Sequence, residues 1–371
     1  MATSQNPADR KVRSVLNRRN FVRTTVALGA ARTAAPAQQA AGTAVSESML
    51  HLEQQWGAQH YDEKEREQLL EVLDRKLPFR WYGPRHERPV KVLTFEREFA
   101  ARMQTKYALA VNSGTSALEA AVTALGVGPG DEVIIPAWTW HSSATSVIRA
   151  GALPVFCEID ESFNIDPARI EALITPATKA VMAVHLQGNP ADMDRIMAVA
   201  RKRGLKVLED CAQAVGGSYK GRPLGSIGDI GIYSHQVNKT ISAGEGGSVV
   251  TNDPLLFERA VRFHDVGSLR AAHEELLGKP SLDRFGGSNF RMSEFTGGVM
   301  LAQLRKLDNI IGASRRNAHR VYDGVRDLPG IRFRLLPDPD GETGVAVFLG
   351  FDSKEKCKRY IDAIKAEGIP C

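Results

Sequence analysis

Residues 107–136, YALAVNSGTSALEAAVTALGVGPGDEVIIP, decide the fold class of this chain. The stretch opens with a short apolar run, Tyr107–Val111, which is typical of a buried strand. A glycine-containing turn leads into a predicted helix over 116–125, and a second glycine-rich turn precedes another apolar strand, Glu132–Pro136. Short apolar strands joined by helices indicate a parallel sheet, because its strands are buried on both faces.

The alternation of strands and helices continues to about residue 210. We predict further helices at 142–150, 167–174 and 190–203, and further strands at 153–159, 179–186 and 206–210. The expected fold is therefore α/β, with a mostly parallel sheet and helices on both faces. Such sheets bind ligands at the carboxyl ends of their strands, so the polar residues at those ends are the candidate site.

Downstream of this core the sequence changes character. Residues 268–288 are rich in glycine, serine and charged residues and lack periodicity, which predicts a loop. A long helix is expected over 293–328, with Ser293 as its cap. A strand at 346–351 and a helix at 354–367 then indicate a smaller α+β domain.

These features divide the chain into three parts. A basic, low-complexity segment covers residues 1–48, a large domain with an N-terminal helical arm covers 49–310, and a small C-terminal domain covers 311–371. The chain stops where another strand is expected, so we expect the small domain to be truncated or unusually short.

The net charge of +5 originates in the N-terminal segment. Residues 1–48 hold seven basic and two acidic residues, so the rest of the chain carries no net charge. We therefore expect no binding to nucleic acid. No apolar run is long enough to span a bilayer. The four cysteines are scattered without a CxxC pair or a Cys/His cluster, which predicts neither a metal site nor a disulfide framework.

The same segment contains a candidate export signal. Residues 17–23, NRRNFVR, resemble a twin-arginine signal, and a mildly apolar stretch at 24–31 and the small residues Ala35-Pro36-Ala37 follow it. Export through the twin-arginine route is one prediction. A disordered basic tail on a cytoplasmic protein is the alternative.

Four segments carry polar residues and glycines at fixed spacing. They are NSGTSAL at 112–118, EDCAQA at 209–214, SHQVNK at 234–239 followed by GEGG at 244–247, and GSNFRMSE at 287–294. In order and spacing these segments resemble the signature runs of the DegT/DnrJ/EryC1/StrS sugar aminotransferases, over about residues 77–370.

The resemblance implies a PLP-dependent transferase of fold type I, with pyridoxal 5'-phosphate (PLP) as its cofactor. It further implies a homodimer whose active sites are shared between the subunits. The implied activity is the transfer of an amino group from glutamate or glutamine to a keto sugar, nucleotide-linked, or to a keto-cyclitol, in polysaccharide or secondary-metabolite sugar biosynthesis.

Lys239 is the candidate catalytic residue that holds the cofactor. A lysine amine forms a Schiff base with the PLP aldehyde only when it is neutral, so its pKa must be lowered by burial and by its neighbours. Lys239 follows a predicted strand at 229–234 and precedes the glycine run at 244–247, which would let the backbone approach a ligand closely. The alternative is a solvated surface lysine.

Asp210 ends the predicted strand at 206–210 and is the second candidate catalytic residue. A buried carboxylate is costly unless it meets a cation, and the protonated ring nitrogen of PLP is one. The alternative is that Asp210 caps the following helix. By resemblance, Gln213 packs against the cofactor near its 3-oxygen; a surface glutamine is the alternative.

Phosphate binding is predicted at the turn that contains Gly114, Thr115 and Ser116. A strand feeds this turn and a helix leaves it, so free N–H groups and the positive end of the helix face an anion. An ordinary helix cap is the alternative. Ser234 is expected to add its hydroxyl, and the resemblance implies that Asn289 reaches this phosphate from the partner subunit.

Several other side chains have two open interpretations. Trp140 matches the aromatic residue that stacks on the PLP ring in the resembling family, but a core tryptophan is the alternative and Trp138 is a rival. His185 matches a family histidine or is a core histidine. Glu245 and Arg291 contact substrate or form structural ion pairs.

Two other functions stay open from the sequence. In a PLP dehydratase or deoxygenase of the same fold, histidine replaces the lysine, and His235 is close to Lys239. A non-catalytic binding or regulatory protein of the PLP fold would have lost cofactor residues, and none is lost in the four segments.

Overall fold

The computed structural model describes residues 60–81 and 90–368. The predicted twin-arginine signal lies outside these residues. Their strands, in chain order, are Tyr107–Val111 (β1), Glu132–Pro136 (β2), Leu153–Cys157 (β3), Thr178–Val184 (β4), Lys206–Asp210 (β5), Ser218–Tyr219 (β6), Arg222–Pro223 (β7), Ile230–Ser234 (β8), Gly247–Thr251 (β9), Ile331–Phe333 (β10) and Leu349–Phe351 (β11).

The helices alternate with these strands over most of the chain. They are Glu63–Arg75 (α1), Lys91–Arg102 (α2), Gly114–Ala124 (α3), His141–Arg149 (α4), Pro167–Ile170 (α5), Met193–Arg203 (α6), Pro254–His264 (α7), Ala271–Leu277 (α8), Glu294–Leu304 (α9), Leu307–Val325 (α10) and Lys354–Ala366 (α11). Short 3₁₀ turns cover Glu171–Leu173 and Leu186–Gly188.

Seven strands form the central sheet, in the order β1-β9-β8-β5-β4-β2-β3. Strand β9 is antiparallel to both of its neighbours, and the remaining pairs are parallel. This mostly parallel sheet confirms the predicted α/β fold. The carboxyl ends of β1, β4, β5 and β8 consequently lie along one edge, which is the edge predicted to hold the site.

Side chains of alternate residues in β4 pack into two separate apolar clusters. Val181 and Ala183 belong to one cluster, and Met182 and Val184 belong to the other. Successive side chains of a strand point to opposite faces, so both faces of the sheet are covered. Each large apolar side chain buried in this way contributes about 1.5–3 kcal/mol to the stability of the fold.

The predicted long helix at 293–328 is wrong: it is two helices, α9 and α10, that break at 305–306. The predicted cap is present, since the Ser293 side chain accepts from the Thr296 N–H. At the break, Lys306 Nζ donates to both carboxylate oxygens of Glu65 in α1. Helix α9 is buried all round, whereas α10 buries one stripe, and the break allows this change of packing.

The predicted loop at 268–288 contains the short helix α8. Its residues are good helix formers, AAHEELL, and His273 anchors it in the interior. A window of seven residues is too short to show a periodic pattern, so the sequence did not reveal it.

The C-terminal residues form a two-stranded antiparallel sheet, β10–β11, and helix α11. The predicted strand at 346–351 is shorter than expected, since only Leu349–Phe351 pairs. The proposed domain boundary after residue 310 lies within α10. Among the described helices, none combines the length and the apolar character needed to cross a bilayer.

Candidate active site

A cleft of about 460 Å³ opens at the carboxyl ends of the central strands. Its size lies within the range of small-molecule sites, about 300–1,000 Å³. Asp210 and Lys239 are the ionisable side chains among the described residues that line it, and most of the others are small or neutral polar residues. The predicted edge of the sheet is therefore where the polar side chains converge.

Lys239 lies on a folded loop between β8 and β9. The loop is closed by backbone hydrogen bonds from His235 to Gly246 (2.8 Å) and from Val237 to Gly244 (3.0 Å). Burial lowers the pKa of the Lys239 amine, while the nearby charge of Asp210 opposes that shift. Burial thus shifts the amine toward its neutral form, the form that covalent attachment of a cofactor requires.

The glycine run next to this loop packs against the turn that contains Gly114. A Cβ on Gly247 would lie 2.3 Å from the carbonyl oxygen of Ser113, so only glycine lets β9 pass the turn at the start of α3. The close approach predicted for this run is therefore made to the backbone of the turn that contains Gly114.

Asp210 is buried at the end of β5, with 4% of its surface exposed. One carboxylate oxygen accepts from the Ser143 hydroxyl (2.9 Å) and the other from the Ala212 N–H (3.1 Å). Burial raises the pKa of Asp210, although these two donors and the charge of Lys239 lower it. Asp210 also receives only neutral donors from the described residues, so a cation in the cleft would stabilise its charged form.

The turn that opens α3 has the geometry of an anion site. Ser113 caps the helix by accepting from the Ser116 N–H (3.0 Å), and the first N–H groups of a helix have no intrahelical acceptor. A Cβ on Gly114 would lie 2.6 Å from the Cβ of Ser234, so glycine allows the turn and β8 to meet. Ser234 accepts from the Gln236 N–H (3.4 Å) and keeps its own proton to donate.

Trp140 and Gln213 also line the cleft. Trp140 precedes α4 and is 64% exposed, which leaves its ring available for stacking. Its rival Trp138 contacts Phe163 and Phe348 edge-on and does not line the cleft. Gln213 accepts from the Gln187 N–H (2.8 Å), so its side chain is fixed at the cleft wall.

Two predicted cofactor residues lie outside the lining of this cleft. Ser116 is buried, and its hydroxyl donates to Asn112 Oδ1 (2.6 Å). Asn289 is exposed and pairs through its backbone with Asp265. Their roles toward the cofactor stay predictions.

Three residues with two open interpretations are away from the cleft lining. Arg291 forms an ion pair with Asp265. Glu245 is exposed and His185 is fully buried.

His185 forms a buried cluster with Glu209 and Cys211 whose ligand atoms are close enough to hold a metal. His185 Nδ1 accepts from the Ala191 N–H (3.0 Å), so the proton is on Nε2, which donates to Glu209 (3.0 Å). Both histidine nitrogens are therefore occupied, and the cluster is a hydrogen-bonded core network.

Sequence reasoning missed Ser143, which is completely buried beneath Asp210. Its hydroxyl donates to Asp210 and contacts the Thr139 hydroxyl (2.8 Å), so Thr139 in turn orients Ser143. The available signal was a serine in the first turn of a helix that follows a strand end. Gln187 was also missed, although it follows the strand-ending His185 by two residues.

The residues of the cleft fit PLP. A buried carboxylate without a cationic hydrogen-bond partner matches a pyridinium nitrogen, and the helix start with Ser234 matches a phosphate. The exposed indole ring of Trp140 and the Lys239 amine, whose pKa is lowered, complete the set of groups that suits this cofactor. Lys239, Asp210 and Gly114 all line one cleft, as the sequence predicted.

Comparisons with known proteins agree with this geometry. The family model that matches residues 61–371 describes the DegT/DnrJ/EryC1/StrS aminotransferase family. The chain is 43% identical to GDP-perosamine synthase of Caulobacter vibrioides, over 61% of this chain and 59% of that protein. It is 42% identical to L-glutamine:2-deoxy-scyllo-inosose aminotransferase of Streptoalloteichus tenebrarius, over 60% of this chain and 54% of that protein.

Solved structures show the same similarity. The crystal structure of 3-amino-5-hydroxybenzoic acid synthase superposes with a TM-score of 0.74 at 33% identity, over 84% of this chain and 80% of that chain. The chain thus spans little more than half the length of the two curated relatives above and most of this solved structure. Since the family model covers nearly all of the described residues, the chain belongs to the DegT/DnrJ/EryC1/StrS aminotransferase family, whose members depend on PLP.

Proposed function

We propose that this protein is a PLP-dependent aminotransferase that moves an amino group from glutamate or glutamine to a keto sugar or keto-cyclitol. The observation that carries the proposal is the convergence of Lys239, Asp210 and the Gly114 turn on one cleft. When bound, PLP supplies an electrophilic carbon and a ring that accepts electrons.

Lys239 is the residue that holds the cofactor and then moves a proton. Its Nζ would hold the cofactor, and as a free amine it would accept the proton from the α-carbon of the donor and return it on the acceptor side of the transfer. A neutral amine is needed for this step, and burial of Lys239 lowers its pKa in that direction.

The other cleft residues bind and orient. Asp210 holds a positive charge at the ring nitrogen, and the donors from Ser143 and Ala212 keep its carboxylate in place. The N–H groups of Gly114 and Thr115 and the hydroxyl of Ser234 bind the phosphate. Trp140 stacks on the ring, and Gln213 packs beside it.

The donor and acceptor classes follow from the relatives. One relative is named for L-glutamine and 2-deoxy-scyllo-inosose, and another for GDP-perosamine. A nucleotide-linked keto sugar and a keto-cyclitol therefore both remain in the proposed acceptor class, and sugar biosynthesis is the proposed context.

A histidine-dependent dehydratase is disfavoured by the position of His235. The ring is completely buried, packs edge-on against Phe95 and Phe99, and shares a hydrogen bond with Ser248 (2.8 Å). Burial lowers the pKa of His235 to about 3. His235 thus cannot replace Lys239 as the base in the cleft.

We also propose a homodimer in which a second copy completes each site. Asn289 is exposed and lies outside the lining of its own cleft, which suits a contact with the phosphate of another copy. The proposed domain division stays at 1–48, 49–310 and 311–371. Export through the twin-arginine route stays a proposal, with the cytoplasm as the alternative.

The absorbance spectrum of the purified protein with PLP tests this function. We expect a yellow band from the Lys239-bound cofactor, which glutamate or glutamine converts to the pyridoxamine form. Lys239→Ala should abolish both signals. The surface variant Lys358→Ala, which loses only an exposed pair with Asp362, should keep them. An unchanged yellow band in Lys239→Ala would refute the proposal.

A further inference from the structure

The turn after β4 places a strained residue at the cleft wall. Gln187 has φ 49° and ψ 44°, the left-handed conformation that non-glycine residues rarely adopt. Gln187 lines the cleft. Backbone strain of this kind persists only where the surroundings hold it, and it is concentrated at functional sites.

Both backbone groups of Gln187 are held by side chains from distant parts of the chain. Its N–H donates to Gln213 Oε1 (2.8 Å), and its carbonyl accepts from Arg334 Nη2 (3.1 Å). Arg334 Nη1 also donates to the carbonyl of Leu186 (3.1 Å). The conformation of the turn is thus fixed on one side by a predicted cofactor residue and on the other by the C-terminal part of the chain.

The segment around Arg334 is built to hold this turn. Arg334 is 6% exposed, pairs with Glu342 (3.3 Å) and lies over the ring of Phe348 (4.6 Å). The Thr343 N–H donates to the carbonyl of Gly188 (3.1 Å), and a Cβ on Gly188 would lie 1.8 Å from Thr343 Oγ1. The turn and this segment therefore pack without space for another side chain.

The side-chain amide of Gln187 is left free by this arrangement. Its backbone makes the contacts above, while among the described residues no group bonds to its side chain, which is exposed at the cleft. The neighbouring wall also carries Gln236 and Asn238. Neutral amides that donate and accept are suited to the hydroxyl groups of a polyhydroxylated ring.

We propose that Gln187 is an acceptor-binding residue, whose amide bonds to the hydroxyls of the keto sugar or keto-cyclitol ring. Arg334 is the positioning residue that keeps the turn in its left-handed conformation. This inference rests on the proposed aminotransferase function and adds the residue that selects the acceptor.

The variant Gln187→Gly tests the role of the side-chain amide independently of the backbone strain at this position. Gln187→Gly removes the amide and relieves the left-handed conformation, so we expect the melting temperature not to fall. The matched control is Gln104→Gly, because Gln104 is also left-handed (φ 54°) but lies between α2 and β1, away from the cleft. Gln104→Gly should change the melting temperature as Gln187→Gly does, but it should leave the rates of both half-reactions unchanged.

The two half-reactions are measured separately on the holoenzyme. The first is conversion to the pyridoxamine form by glutamate or glutamine, and the second is reaction with 2-deoxy-scyllo-inosose or, in reverse, with GDP-perosamine. We expect Gln187→Gly to raise KM for the ring substrate about five- to tenfold, the value of one net hydrogen bond, with the donor half-reaction unchanged within about twofold. Arg334→Met should raise the same KM, and the double variant should be no worse than Gln187→Gly alone.

The outcomes distinguish the two proposals. No donor half-reaction in the wild type refutes the proposed function itself. A wild-type donor half-reaction with an unchanged ring-substrate KM in Gln187→Gly overturns the role of Gln187 alone. That role is also overturned if both half-reactions fall equally, or if the wild type reacts with neither ring substrate.

Discussion

Glu209 and Asp210 are adjacent carboxylates on β5, and both are buried, yet their surroundings differ completely. Glu209 Oε2 accepts from His185 Nε2 (3.0 Å) and the Gly225 N–H (2.8 Å). Its Oε1 accepts from the N–H groups of Ile227 (2.7 Å) and Gly228 (2.6 Å). Within residues 60–81 and 90–368, the Asp210 carboxylate, on the cleft side, has two donors. Glu209 is therefore fully hydrogen-bonded within the core, whereas Asp210 has bonding capacity left at the cleft.

The pKa values of the two carboxyls move in opposite directions for this reason. Burial alone raises both. At Glu209 the hydrogen bonds from His185 and the backbone outweigh burial, so its pKa lies below the ordinary value. At Asp210 burial outweighs the donors, so its pKa lies above the ordinary value. Substitutions of Asp210 at the cleft and of Glu209 in the core can test this difference in environment separately.

The largest effect is expected on the cleft side. Asp210→Asn keeps the shape of the side chain and its contact with Ser143 but removes the charge that we propose faces the ring nitrogen of PLP. We expect the rate of amino transfer to fall about a hundred- to a thousandfold, because the developing charge on the ring loses its partner. Single-turnover kinetics with glutamate measure this rate.

The stability of the cofactor-free Asp210→Asn variant serves as a control for correct folding. The cofactor-free variant should be at least as stable as the wild type, since it no longer buries an incompletely paired carboxylate. A variant that transfers the amino group at the wild-type rate would show that Asp210 is not the partner of the ring.

A smaller effect, on stability and not on chemistry, is expected on the core side. Glu209→Gln replaces a carboxylate oxygen with an NH₂ group that must face an N–H donor or His185 Nε2–H. Breaking such a buried network should lower the free energy of unfolding by about 3 kcal/mol. Urea unfolding of the cofactor-free protein measures this change. Loss of amino transfer in folded Glu209→Gln without loss of stability would contradict the comparison.

The sequence predicted the local parts of this site well. The strand that ends at Asp210, the turn at Gly114 and the loop residue Lys239 follow from short patterns of apolar residues, glycines and polar residues. The prediction of Asp210 rests on its position at the end of this strand and on Lys239 as its neighbour. Alternation puts Glu209 and Asp210 on opposite faces, but both faces of a parallel sheet are buried, so the pattern alone cannot say which face meets the cleft.

The contacts that the sequence could not predict join residues far apart in the chain. Ser143 reaches Asp210 across 67 positions, and Arg334 reaches Gln187 across 147. At the break between α9 and α10, Lys306 likewise meets Glu65 in α1, far away in the sequence. Such contacts are set by the packing of elements, which local propensity does not encode.

The smallest effect is a difference in how stability depends on pH. Glu209, whose folded pKa is lowered, contributes stability that is present above its ordinary value of 4.5 and is lost as the pH falls through its folded pKa. Asp210, whose folded pKa is raised, contributes stability that is present below its ordinary value of 3.8 and is lost as the pH rises through its folded pKa. The contributions of Glu209 and Asp210 to the free energy of unfolding therefore change with pH in opposite directions.

Urea unfolding of the cofactor-free protein between about pH 3 and pH 8 resolves these two contributions. Each proton contributes at most about 1.4 kcal/mol per pH unit. Compared with the wild type, Asp210→Asn should lose less stability as the pH rises toward neutral. Glu209→Gln should lose less stability as the pH falls into the acid range. Buried His235 and His264, whose pKa values are lowered by burial to about 3, lose stability in acid in every variant and cancel in the differences. Difference curves of the same sign would mean that the two carboxylates share one environment, and the contrast between core and cleft would then be wrong.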